Sequence, residues 1–218
     1  MPTPGHRLFR TQSTALGKRE RTRSALLDSA IGVFATKGFE ASRITDITDH
    51  AGLANGTFYN YYRDKREILR DVALGLAVEI VRQINDEMGG IDRAVARVVT
   101  ATSRLMQTAR QEPEWIEVLL SSIPIVPDLR AAVTQYLRED LKMGVDQGDF
   151  DITIDLLLIN QILSLVRTAV MLDRDVKDET VRRTCEACLR LLGVTPARAA
   201  RQVNRILNRR HQPPIGDN

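Results

Sequence analysis

Asn55, Thr57, Tyr59 and Asn60 fall within six residues of a segment, 44–65, that reads ITDITDHAGLANGTFYNYYRDK. All four side chains are short or planar hydrogen-bonding groups, and none is charged. An asparagine amide pairs bidentately with adenine, and threonine or tyrosine hydroxyls meet base edges or phosphate oxygens. A binder that relied on phosphates alone would carry lysine and arginine there. The chemistry these residues suit is the reading of a nucleic acid.

Such side chains need a rigid support, and the surrounding spacing supplies one. Apolar residues stand at Ile44, Ile47, Ala51, Leu53, Phe58 and Tyr61. Thr48 is small where two crossing helices would approach closely, and Gly52 stands where the chain must turn, a place glycine takes without steric cost. This is the pattern of a helix-turn-helix, whose second helix lies in the major groove. The same spacing also fits an ordinary helical hairpin in an all-α core. Two features favour DNA. Phe58, Tyr59, Tyr61 and Tyr62 include three of the four tyrosines of the chain, and the run Arg63-Asp64-Lys65-Arg66-Glu67 follows directly. Asp64 and Glu67 have capping-box spacing, so a helix starts at about Lys65 with basic side chains and free N–H groups at its first turn, an arrangement that attracts phosphate.

Residues 39–69 resemble the DNA-binding domain of the TetR family of bacterial transcriptional regulators. The matching pieces are Gly38-Phe39, Ile44-x-x-Ile47, Ala51-Gly52-Leu53, Gly56-Thr57-Phe58-Tyr59-x-Tyr61-Tyr62 and Lys65-x-x-Ile68-Leu69, with Ala30, Val33 and Phe34 of the preceding helix facing inward. The resemblance covers the first third of the chain. It implies a groove-facing role for Thr45, recognition-helix contacts by Asn55, Gly56, Thr57, Asn60 and Tyr61, and phosphate anchoring by Tyr59 and Lys65. Asn55 stands where lysine is common, and Tyr62 where phenylalanine is usual, so the Tyr62 hydroxyl must find a partner or water.

Charge divides the 218 residues into three parts. Residues 1–70 carry 12 Lys/Arg against 7 Asp/Glu, residues 71–192 carry 14 against 20, and residues 193–218 carry 5 against 1. Nucleic acid therefore meets the N-terminal third, and the acidic middle has another task. The expected organisation is a flexible basic arm over 1–18, a helix-turn-helix domain over 19–64, a helical effector-binding and dimerisation domain over 65–210, and a flexible tail over 211–218. Residues 1–17 fit either an arm that reaches along the DNA or a disordered terminus.

Helical spacing and stop signals place helices at about 19–37, 65–88, 92–110, 113–122, 128–147, 152–172, 178–192 and 196–209. No alternating strand pattern, internal repeat or low-complexity tract is visible, so the fold class is all-α. No run approaches the roughly 18 apolar residues of a membrane helix, and no secretory signal is present, so a cytoplasmic location is expected. Cys185 and Cys188 share a helical face with Val181 and Leu192 and read as reduced core residues; no metal and no cofactor is expected. Enzyme motifs (GxSxG, HExxH, a P-loop, a dinucleotide glycine pattern) are absent.

Helix 152–172 is apolar on nearly every side, and 178–192 carries a stripe at Val181, Cys185, Cys188, Leu189 and Leu192. Two such helices from each of two subunits would form a four-helix bundle, and the resemblance implies the same homodimer. The arginine face of 196–209 (Arg198, Arg201, Arg205, Arg209) fits a polyanion surface or a solvated face. Leu105, Met106, Trp115, Leu119 and Ile123 fit either plain core or, as the resemblance implies, the lining of a small-molecule effector site. The function expected is that of a ligand-responsive repressor on a near-palindromic operator. The alternative is a ligand-independent architectural DNA-binding protein.

Overall fold

In the computed structural model, residues 8–11 and 17–210 are described. The Thr/Ser-rich remainder of the arm, including Arg7, and the 211–218 tail lie outside them. The elements are α1 (Leu8–Thr11), α2 (Lys18–Ala41), α3 (Ile44–Ala51), α4 (Asn55–Phe58), α5 (Lys65–Met88), α6 (Ala94–Gln111), α7 (Pro113–Ser122), α8 (Pro127–Asp146), α9 (Leu156–Leu172), α10 (Asp178–Leu191) and α11 (Pro196–Arg210). All are helices, in keeping with the all-α class.

Beyond shifts of a residue or two at helix ends, the start of α9 and the expected arm depart from the expected organisation. The first helix breaks at Gly38, as expected, where φ 74° and ψ 164° are non-helical, and a further helical stretch runs to Ala41. Helix α9 starts at Leu156 and not at 152, because the Asp155 carboxylate accepts the Leu158 N–H at 2.8 Å and caps it. Within the expected arm, Leu8 is buried and the Phe9 N–H donates to Asp28 Oδ1 at 3.0 Å, so this turn is fastened to α2.

The chain forms two compact units, and the division falls inside α5. One holds Met1–Glu79 with Glu112–Arg130; the other holds Ile80–Gln111 with Ala131–Asn218. The first unit thus includes the start of α5 and all of α7, which packs on α2. Its core is built from Leu26, Leu27, Phe34, Ile47, Phe58, Ile68 and Leu69.

In the second unit α10 packs against α6, α9 and α11. The α10 stripe of Val181, Cys185, Cys188 and Leu189 is buried there, and burial pushes the Cys188 thiol up to about 12, as suits an inert core thiol. The buried Asp149 carboxylate receives Arg93 at 2.7 Å and Arg198 at 2.6 Å. Arg198 of the arginine face is therefore a structural residue.

Candidate nucleic-acid interface

Helix α3 is fixed at both ends by local chemistry. At its start the Arg43 N–H donates to Asp46 Oδ2 at 2.8 Å, and Lys37 Nζ meets Asp46 Oδ1 at 2.7 Å. The Lys37 hydrogen bond, then the Arg43 N–H, hold this carboxyl below its usual range. At its end Gly52 takes the left-handed conformation, φ 67° and ψ 35°. The Gly52 N–H reaches Asp49 O at 3.1 Å and the Leu53 N–H reaches Thr48 O at 2.9 Å, which closes the helix in a Schellman turn. Thr48 is fully buried, with its hydroxyl turned back to Thr45 O at 3.1 Å. The small residue therefore sits where the sequence requires a close approach.

The second helix is short. After α4 the backbone continues in tight turns, with the Tyr61 N–H bonded to Phe58 O at 2.9 Å and the Tyr62 N–H to the same oxygen at 3.0 Å. Phe58 is fully buried and anchors the segment; its ring lies 5.5 Å from Tyr59 and 5.7 Å from Tyr62. With that side held inward, Asn55, Gly56, Tyr59 and Asn60 are exposed, as is Thr45 on α3, while Thr57 and Tyr61 are half-buried. Tyr59 is 57% exposed. The side chains of Asn55, Thr57, Tyr59 and Asn60 make no hydrogen bond to another described residue. Asn55, Tyr59 and Asn60 thus stand exposed on one segment, with their polar groups unengaged among the described residues.

Lys65, expected as a phosphate anchor, is bonded to the end of α2. Its ammonium donates to the carbonyls of Phe39, of Ser42 at 2.7 Å and of Glu40 at 3.3 Å, and it lies 4.4 Å from the centre of the Phe39 ring. Its three donors are engaged at the end of α2, whose last carbonyls have no helical partner. The capping expected at α5 is present: Asp64 accepts the N–H groups of Arg66 and Glu67 at 2.8 and 2.9 Å, and Glu67 accepts that of Arg63 at 2.6 Å.

Tyr62 buries its hydroxyl without a hydrogen bond. The nearby Asp71 bonds Arg23 instead, at 2.6 Å, and burial raises the phenol pKa. Arg19, in the basic run Lys18-Arg19-Glu20-Arg21-Thr22-Arg23 that opens α2, lies 5.9 Å over the Tyr61 ring; that run was its only signal in the sequence.

Of the expected effector residues, Met106 is buried and Leu105 half-buried on α6 in the second unit, while Trp115, Leu119 and Ile123 are buried on or just after α7 in the first. Among the described residues no group of His, Cys, Asp and Glu could hold a metal, and no helix is long and apolar enough to cross a membrane.

Residues 26–72 match the family model described as "Bacterial regulatory proteins, tetR family". The match spans α3, α4 and the start of α5 and covers this N-terminal segment alone. Among its relatives, the HTH-type transcriptional regulator SrpR of Pseudomonas putida is 25% identical over 145 residues, 63% of this chain and 67% of that protein. The HTH-type transcriptional repressor LfrR of Mycolicibacterium smegmatis is 35% identical over 86 residues, 38% of this chain and 44% of that one. The match to LfrR thus spans less than half of that relative's length. Among solved structures, the chain is similar to RolR in complex with resorcinol, at a TM-score of 0.65 and 25% identity over 86% of this chain and 95% of RolR.

Proposed function

We propose that this chain is a ligand-responsive transcriptional repressor that binds a near-palindromic operator as a homodimer in the cytoplasm. The observation that carries this reading is the exposed segment 55–60, whose amide and hydroxyl groups have no partner within the described residues while Phe58 holds their backbone fixed. Polar groups that are rigidly placed and unengaged are what direct readout of base edges needs. Thr45, Asn55, Gly56, Thr57, Tyr59, Asn60 and Tyr61 make the contacts, and Lys65 braces the domain.

Dimerisation is supported by α9. Leu156 and Leu157 at its start and Met171 and Leu172 at its end are more than half exposed, an apolar surface that a second copy would cover. Because the α10 stripe is buried within its own subunit, α10 would join the bundle through its other face. A two-fold dimer presents two reading segments roughly 34–36 Å apart, or a multiple of that, and so requires a near-palindromic site.

A small-molecule effector is supported by the likeness to RolR, whose structure holds resorcinol. Linkage makes the coupling reciprocal: an effector that releases operator must itself be bound more weakly by the operator complex, by the same factor, with about 1–3 kcal/mol typical.

Selection of duplexes from a random library at about physiological salt tests the function. A recovered near-palindromic consensus, lost in Tyr59→Ala, is expected. Binding with no consensus, which only weakens as salt rises, would establish the architectural alternative.

A further inference from the structure

The cations of the first unit differ in what already holds them. Arg23 is tied to Asp71 at 2.6 Å, Lys37 to Asp46 at 2.7 Å and Arg70 to Asp128 at 2.6 Å. Lys65 is tied to carbonyls at the end of α2. Arg19 has neither a carboxylate nor a carbonyl partner among the described residues. Its guanidinium is exposed and lies 5.9 Å from the centre of the half-buried Tyr61 ring, which directly follows Asn60.

Attraction to an aromatic ring holds a guanidinium without using its N–H donors. Arg19 is therefore restrained and still has its hydrogen-bonding capacity available, a state that lowers the entropy lost on binding. A phosphate is the ligand that a planar, multidentate cation suits. The ring that restrains it belongs to the reading segment, so a phosphate gripped there stands at a fixed offset from the bases that Asn55 and Asn60 would meet. Contacts of that kind set the register of a protein on its duplex.

We infer that Arg19, braced on Tyr61, is the phosphate-gripping residue that registers the reading segment on DNA, and that Lys65 is not. This rests on the DNA-binding function proposed above.

The test uses the full-length protein and the duplex that the wild type selects. Affinity is measured over a series of salt concentrations for the wild type, Arg19→Ala, Arg19→Lys and Lys65→Gln, with thermal midpoints as the control for folding. Expected for Arg19→Ala is an unchanged midpoint, weaker binding of every base-pair variant alike, and a log-affinity against log-salt slope reduced by about 0.9 per half-site. Arg19→Lys should restore most of the slope, and the loss from Arg19→Ala should shrink in a Tyr61→Leu background, where the brace is gone. An unchanged slope in Arg19→Ala, or the full reduction in Lys65→Gln at an unchanged midpoint, would overturn the inference alone. A wild type that binds no duplex would overturn the proposed function, and the inference with it.

Discussion

One ammonium, Lys65 Nζ, joins the start of α5 to three carbonyls at the end of α2. Removing it leaves acceptors without their donor, and such groups cost about 1–3 kcal/mol when they are kept from water. Lys65→Met is therefore expected to lower the urea midpoint of the protein and to leave the salt dependence of operator binding unchanged. The acceptors lie 23 to 26 residues earlier in the chain, so no local pattern could reveal them. A lysine beside a helix start reads locally as a phosphate ligand, and only the fold shows where its donors go. Thr48, Gly52 and Phe58 were legible for the opposite reason. Each is determined by helical spacing or backbone conformation within its own ten residues.

Elements follow the same division. Helix α5 begins where Asp64 and Glu67 predict, since its cap is a matter of neighbours in sequence. Helix α9 was expected four residues early because the apolar residues from Ile152 to Leu158 continue across Asp155; the carboxylate that caps the helix is the signal that outranks them. Helix α3 carries a testable cap of the same kind. The Lys37 and Arg43 bonds depress the Asp46 pKa below its ordinary value of 3.8. A carboxyl whose folded pKa is depressed contributes stability that is present above its unfolded pKa and is lost as pH falls through the folded one. The urea midpoint should accordingly hold between about pH 7 and 5 and decline below about pH 4, and Asp46→Asn should flatten part of that decline. An equal acid slope in wild type and Asp46→Asn would remove Asp46 from the cause.

At the scale of the molecule, the charge division and the apolar α9 surface assign different work to different parts of the chain. Net positive charge lies in residues 1–70 and 193–218, on either side of an acidic middle, while Leu156, Leu157, Met171 and Leu172 lie exposed on α9. Leu157→Asp places a charge at that surface, and burying it in a dimer would cost far more than leaving it in water. The expected outcome is a monomer in sedimentation velocity at micromolar concentration, together with loss of operator binding because one reading segment alone holds half a site. A dimer of unchanged stability would move the subunit interface elsewhere. An apolar surface in want of cover was legible in the sequence as an all-round apolar helix, but which face remained open was not, because that depends on how α10 packs beside it.

The most direct measurement is the affinity of wild type and Asn60→Ala for the selected duplex and for every single-base-pair change in it. If the exposed amide reads a base, Asn60→Ala weakens binding to the selected duplex by about 1–3 kcal/mol. It also erases base preference at one pair of symmetry-related positions and leaves the other positions as they were. Weakening that is uniform across all positions would mean that Asn60 meets the backbone, and would contradict base readout by this segment.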